Sequence, residues 1–222
     1  MERSLISLGL LHFPVYNKNK EVVITSITTS SLHDISRTAR TFGVESFYII
    51  TPIVAHKQLV DRLVKHWQVG YGAQYNPTRR EALCNVTVVN SLGECLQDLK
   101  EKYQKDPVTI ATCARSHKNA ISYPELREKM QRDRQVYFIL FGTGWGIEAS
   151  LISEMDFTIE PIYGSGGSGG AGVSGVSGGA SGAGCAGGKG GEGEQCGQCN
   201  YNHLSVRAAV AIILDRLTNE NR

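Results

Sequence analysis

Phe141-Gly142-Thr143-Gly144-Trp145-Gly146 is the sharpest local feature of this 222-residue chain. It follows the apolar run Gln135 to Leu140, and three alternating glycines at the end of a strand let a ligand approach the backbone, with amides turned into a crevice. The spacing is neither G-x-G-x-x-G nor G-x-x-x-x-G-K-[ST], so taken alone a tight strand-to-helix turn accounts for it equally well. His33, Arg37 and Arg40 fall four and three residues apart and form one polar stripe of a helix, opposite Leu32, Ile35, Ala39 and Phe42. Arginine in such a stripe can bind phosphate or steady developing negative charge; a solvated helix face is the other reading. Arg79 and Arg80 can grip phosphodiesters, and Tyr71 and Tyr75 nearby can stack on unpaired bases, although exposed arginines are common. His12, Tyr16 and Asn17 follow the first strand and can face a substrate or simply pack a loop. Cys196-Gly-Gln-Cys199, with Cys185 and His203, has metal-knuckle spacing, but a lone CxxC in low-complexity sequence has nothing to orient its ligands, and no metal is expected.

The elements that must position these residues are legible as period and punctuation. Runs rich in β-branched and aromatic residues at 4–13, 21–28, 46–52, 85–90, 107–114, 135–142 and 157–162 predict strands. Helical spacing at Leu32, Ile35, Ala39 and Phe42, and at Leu59, Leu63 and Trp67, predicts helices between them. Ser31 with Asp34, Ser91 with Glu94, and Ser122 with Glu125 each set a hydroxyl three residues before a carboxylate, the signature of a helix start. Alternation of strand and helix predicts an α/β fold, a mostly parallel sheet covered by helices. Residues 204–217 are apolar nearly all round between Val206 and Leu214, which predicts a buried final helix too short to cross a bilayer.

Composition excludes more than it assigns. A formal charge of +2 does not announce a nucleic-acid partner, and no run of about 18 apolar residues predicts a membrane span. The first residues lack the basic leader and cleavage site of a secreted protein, so a cytoplasmic location is expected, with Cys84, Cys95 and Cys113 as buried free thiols. Residues 164–197 contain 17 of the 25 glycines and can build no core, so 164–200 is predicted to be a flexible insertion that interrupts a single domain without dividing it.

The order FGTGWGIE, IEPIYG (159–164) and YNHLSVRAAVAIILDRL (201–217), with HDISRTARTFGV (33–44) upstream, resembles the knotted SpoU/TrmD (SPOUT) superfamily. Together with HFPVYNKN (12–19) and GYGAQYNPTRREAL (70–83), it is similar to a bacterial family of S-adenosylmethionine-dependent RNA methyltransferases, over nearly the whole chain outside 164–200.

The resemblance implies a C-terminal deep trefoil knot in which S-adenosyl-L-methionine lies bent. The loops carried over are Thr112, Cys113 and Ala114; Phe141, Gly142, Thr143, Gly144 and Gly146; and Ile162 and Tyr163 joined to His203 and Leu204. It implies Arg37 as the residue that activates the acceptor and Ser205 as a polar contact; His33 on the same stripe and Asn202 before the last helix are candidates from their own positions, and Arg40, Arg79, Arg80 and Tyr75 are the expected RNA contacts. Asn202 can equally be a helix cap. Where the SpoU motif has Asn, six residues before its Arg, this chain has Ser31, so ribose 2'-O transfer and base-nitrogen transfer both stay open. Structured RNA, either tRNA or rRNA, and a homodimer are the implied partners. A non-catalytic knotted module for RNA binding or assembly is the alternative.

Overall fold

A computed structural model of the chain describes residues 4–118, 120–164 and 204–219. In chain order the elements are β1 (Leu5–Leu11), β2 (Val15–Tyr16), β3 (Val22–Val23), α1 (Thr29–Thr41), β4 (Ser46–Ile50) and α2 (Val54–Gln68). Then come α3 (Tyr71–Tyr75), α4 (Pro77–Ala82), β5 (Val86–Val89), α5 (Leu92–Tyr103), β6 (Val108–Thr112) and β7 (Ala120–Ile121). The chain continues through α6 (Tyr123–Asp133), β8 (Val136–Gly142), α7 (Ala149–Ser153), β9 (Phe157–Ile159) and α8 (Val206–Thr218). It divides into two units: 1–161 with 204–222, and 162–203, of which only Ile162, Tyr163 and Gly164 are described.

Seven strands form one sheet in the order β5-β4-β1-β8-β6-β9-β7, and every pairing in it is parallel. Parallel central strands are covered on both faces, which is why β1 and β8 read as continuous apolar runs and are buried along nearly their whole length. Alternate residues serve opposite sides. Leu11, Tyr48, Ile50, Phe138 and Leu140 join Cys95 and Leu99 of α5 and Ile152 of α7 in one core cluster. The residues between them, such as Leu8, Leu10, Phe47, Ile49 and Ile139, are buried on the other side. Here α8 packs on β8 and against α1 and α6. Each fully buried Leu or Ile contributes roughly 1.5–3 kcal/mol by leaving water.

Punctuation reads correctly in two places of three. Ser91 caps α5, and Ser122 with Glu125 makes a complete capping box on α6. At α1 the cap is Thr28, whose hydroxyl accepts from Ser31 N, so the helix starts before the Ser31–Asp34 pair. Asp34 instead meets Arg207 of α8 at 2.7 Å. The 21–28 run is no strand of the sheet: only Val22–Val23 pairs, antiparallel to Val15–Tyr16, in a separate hairpin. α8 is buried on one face, at Val210, Ile213, Leu214 and Leu217, and not all round. Of the three thiols expected in the core, Cys95 is buried, Cys113 half-buried and Cys84 exposed. The Gly-rich stretch 165–200 and the knuckle cysteines lie outside the described residues.

Candidate functional site

Because β8, β6 and β9 are adjacent in the sheet, the loops leaving their carboxyl ends start side by side. Open α/β sheets bind ligands in this region. Thr112, Cys113 and Ala114 leave β6, Gly142 to Gly146 leave β8, and Glu160 and Pro161 leave β9. Ile162 and Tyr163 follow in the second unit.

The loop after β8 is held by the hairpin of β2 and β3, not left open. Trp145 N donates to Tyr16 O at 2.8 Å, Tyr16 N donates to Gly146 O at 2.9 Å, and Thr143 N donates to Leu11 O at 3.2 Å. Gly146 N closes a turn onto Thr143 O. The expectation of amides aimed into a crevice therefore fails for Thr143, Trp145 and Gly146, whose donors are already used. Gly144 has φ +60°, and a Cβ there would stand 2.8 Å from Tyr16 O, so its role is to let the hairpin approach. Gly146, at φ +110°, has open space where a side chain would be. Phe141 is a core side chain, while Trp145 is 66% exposed.

Side chains lock the same junction. Thr143 Oγ1 donates to Leu11 O at 2.8 Å and so accepts from Thr25 Oγ1, which spends the single proton of Thr25. Thr25 Oγ1 then accepts from His12 Nδ1 at 3.1 Å, which places the imidazole proton on Nδ1 and leaves Nε2 as a buried lone pair with no partner among the described residues. His12 is 1% exposed. Burial, helped by His56 with its ring centroid 6.4 Å away, pushes the pKa of His12 down to about 4. Tyr16 Oη donates to Glu148 Oε1 at 3.2 Å and accepts from Ala149 N, while Glu148 caps α7.

The predicted stripe on α1 exists, but its members differ. Arg40 is committed to Glu81 of α4. His33 lies edge-on to Trp67 of α2, ring centroids 5.6 Å apart, and its pKa is lowered by burial and then by Arg79. The Arg79 guanidinium sits over the other neighbour of His33, the Trp67 ring, at 4.6 Å. Arg37 is exposed, and its side chain has no hydrogen bond or ion pair among the described residues. Arg80 is exposed, as are Tyr71 and Tyr75, which stack on each other.

Two loop residues use their hydroxyls locally: Thr112 donates to Leu140 O at 3.0 Å, and Ser205 is the N-cap of α8, accepting from Ala208 N at 3.2 Å. Leu204, before α8, is 48% exposed. Asn202 and His203 lie outside the described residues. Thr25, Glu148 and the contact of Trp67 with His33 carry no motif or spacing in the sequence. Thr25 meets a partner 118 residues away, and no spacing rule reports such a contact.

These loops leave open surface for a ligand even though three of their amides are spent. Ala114 is exposed, the face of Gly146 is open, and Leu204 offers an apolar surface.

The model of the SAM-dependent RNA methyltransferase family matches residues 5–168 and 195–219, leaving out 169–194 inside the Gly-rich stretch. An uncharacterised protein of Aquifex aeolicus is 34% identical over 217 residues, 98% of this chain and 90% of its own length. A tRNA (guanine-N(1)-)-methyltransferase of Nitratidesulfovibrio vulgaris is 31% identical over 209 residues, 94% of this chain, and the match spans only 41% of that longer protein. Among solved structures, a probable methyltransferase from Bordetella pertussis superposes with TM-score 0.55 at 13% identity, covering 97% of this chain and 95% of its own, a likeness of fold. The ordered motifs, the parallel sheet and the family match agree: this chain belongs to the SAM-dependent RNA methyltransferase family.

Proposed function

We propose that the enzyme holds S-adenosylmethionine in the loops after β8, β6 and β9 and moves its methyl group to a structured RNA, with Arg37 activating the acceptor. The juxtaposition of those three loops at neighbouring strand ends carries the reading. The bound cofactor supplies an electrophilic methyl group on positively charged sulfur. The chain's own task is then alignment, exclusion of water and management of charge on the acceptor. Thr112 to Ala114 and Gly142 to Gly146 are the proposed cofactor contacts, and the motif match adds Ile162, Tyr163, His203 and Leu204 as further candidates. Thr25 and His12 hold the β8 loop to the end of β1.

Arg37 is the uncommitted cation of the α1 stripe and can take a phosphate or steady charge that develops on the acceptor. His33, pressed against Trp67, orients this face and keeps its proton off near neutral pH. Asn202 and Ser205 are the remaining candidates for contact with the acceptor, Ser205 also capping α8. A tRNA substrate is favoured over rRNA by the name of the N. vulgaris relative. That name belongs to a protein more than twice as long, so both the RNA and the choice between oxygen and nitrogen are proposals. A homodimer, a cytoplasmic location and a C-terminal trefoil knot complete the reading.

Calorimetry on the pure protein tests it. S-adenosylmethionine should bind with one site per chain, and Arg37→Ala should bind it equally well while losing transfer. An active Arg37→Ala enzyme would remove the role given to that residue; absence of cofactor binding would remove the whole reading.

A further inference from the structure

Between β4 and β5 the chain spends three helices, α2, α3 and α4, where one would close the crossover. These helices pack on each other and, through α4, on α1. Residues 54–82 hold five Lys and Arg against two acidic residues, a formal +3 in a chain whose total is +2. One of the two acids, Glu81, is already bound to Arg40. On α3, Tyr71 and Tyr75 are each 74% exposed, with ring centroids 6.0 Å apart and planes 23° from parallel. Beside them Val69 is 73% exposed. Among the described residues, two large aromatic rings thus stand exposed side by side with nothing apolar covering them, on helices whose cations outnumber their acids.

We propose that α2–α4 is the RNA-reading lobe of the enzyme and that it takes an unpaired nucleotide, the base stacking on the outer face of the Tyr71–Tyr75 pair and the flanking phosphates meeting Arg79 and Arg80. This rests on the RNA methyltransferase reading and narrows its substrate to RNA with a looped or bulged target. Duplex RNA hides its base faces inside its own stack and has nothing to offer a flat aromatic platform, whereas a splayed base does. Stacking tolerates any base, so the lobe selects for strandedness more than for sequence. Arg79 is already placed, its guanidinium carbon 4.6 Å from the centre of the Trp67 ring, and Arg80 beside it is exposed. Trp67 also contacts His33 of α1, so the lobe is mechanically joined to the helix that carries Arg37. A base held on α3 therefore sets the position of its neighbour relative to that arginine.

Fluorescence anisotropy with two labelled RNAs tests the proposal: a hairpin with an unpaired loop, and a fully paired duplex of equal length. The wild type should prefer the hairpin. Replacing both tyrosines, Tyr71→Ala with Tyr75→Ala, should weaken hairpin binding by about tenfold or more and leave duplex binding unchanged. Tyr71→Phe with Tyr75→Phe, which keeps the rings, should restore the preference. Equal affinity for the two RNAs, or an alanine variant that still prefers the hairpin, would overturn the proposal. S-adenosylmethionine titrated into each variant separates the two readings. A wild type that prefers the hairpin yet binds no cofactor keeps the lobe and loses the methyltransferase site.

Discussion

His12 is a buried imidazole whose proton position follows from its neighbours. Thr143 gives its proton to Leu11 O, Thr25 gives its own to Thr143, and His12 is left to donate from Nδ1. Its pKa falls to about 4 from an ordinary 6.5, so the folded chain keeps it neutral while the unfolded chain binds a proton below about pH 6.5. Stability is therefore whole above pH 6.5 and declines as pH drops towards 4, by on the order of 3 kcal/mol across that window. Urea unfolding at pH 7.5 and 4.5 should show this slope in the wild type and a flatter one in His12→Asn; identical slopes would mean that His12 is not held neutral. Gly144 has a sharper limit. A Cβ at φ +60° and 2.8 Å from Tyr16 O must push the hairpin off the loop, so Gly144→Ala should cost about 1–3 kcal/mol, read as a lowered urea midpoint. From sequence the glycine stood out but its reason did not: it reads as room for a ligand, and the structure fills that room with Tyr16.

At the scale of elements, the sheet was legible because its central strands are buried on both faces and so are apolar without interruption, as in Leu5–Leu11 and Val136–Gly142. The hairpin was not. Val22 and Val23 carry the same β-branched signal as a sheet strand, and only the tertiary partners of Tyr16 decide that they fold over a loop. β7, two residues long, has too little sequence to show any period. The starts of α5 and α6 were legible, since a hydroxyl cap and its hydrogen bond lie within four residues of each other. Ser122→Ala, which removes the hydroxyl half of the α6 capping box, should cost about 1 kcal/mol in thermal or urea unfolding. An unchanged midpoint would show that the box is dispensable there. α2–α4 was legible as a helical period and a basic motif, but the mutual stacking of Tyr71 and Tyr75 needed the turn of α3 to bring together residues four apart.

For the whole molecule, the family match leaves out 169–194 and resumes on both sides, so the fold is specified by the flanks. Shortening 169–194 to a few residues should preserve the melting temperature and cofactor binding; loss of the fold would show that the Gly-rich stretch takes part in it. The motif order across the chain carries the family on its own, because such order reports ancestry and not local physics. The acceptor atom and the RNA were not legible, since they depend on how α1, the loops and a bound RNA meet. The central claim is that this chain carries a methyl group from S-adenosylmethionine to RNA. Its most direct test is incubation of the pure protein with cofactor labelled in the methyl group and RNA from cells lacking the gene. Label should enter RNA with wild-type protein and stay out with Arg37→Ala; RNA left unlabelled by a wild-type protein that binds the cofactor would contradict the account.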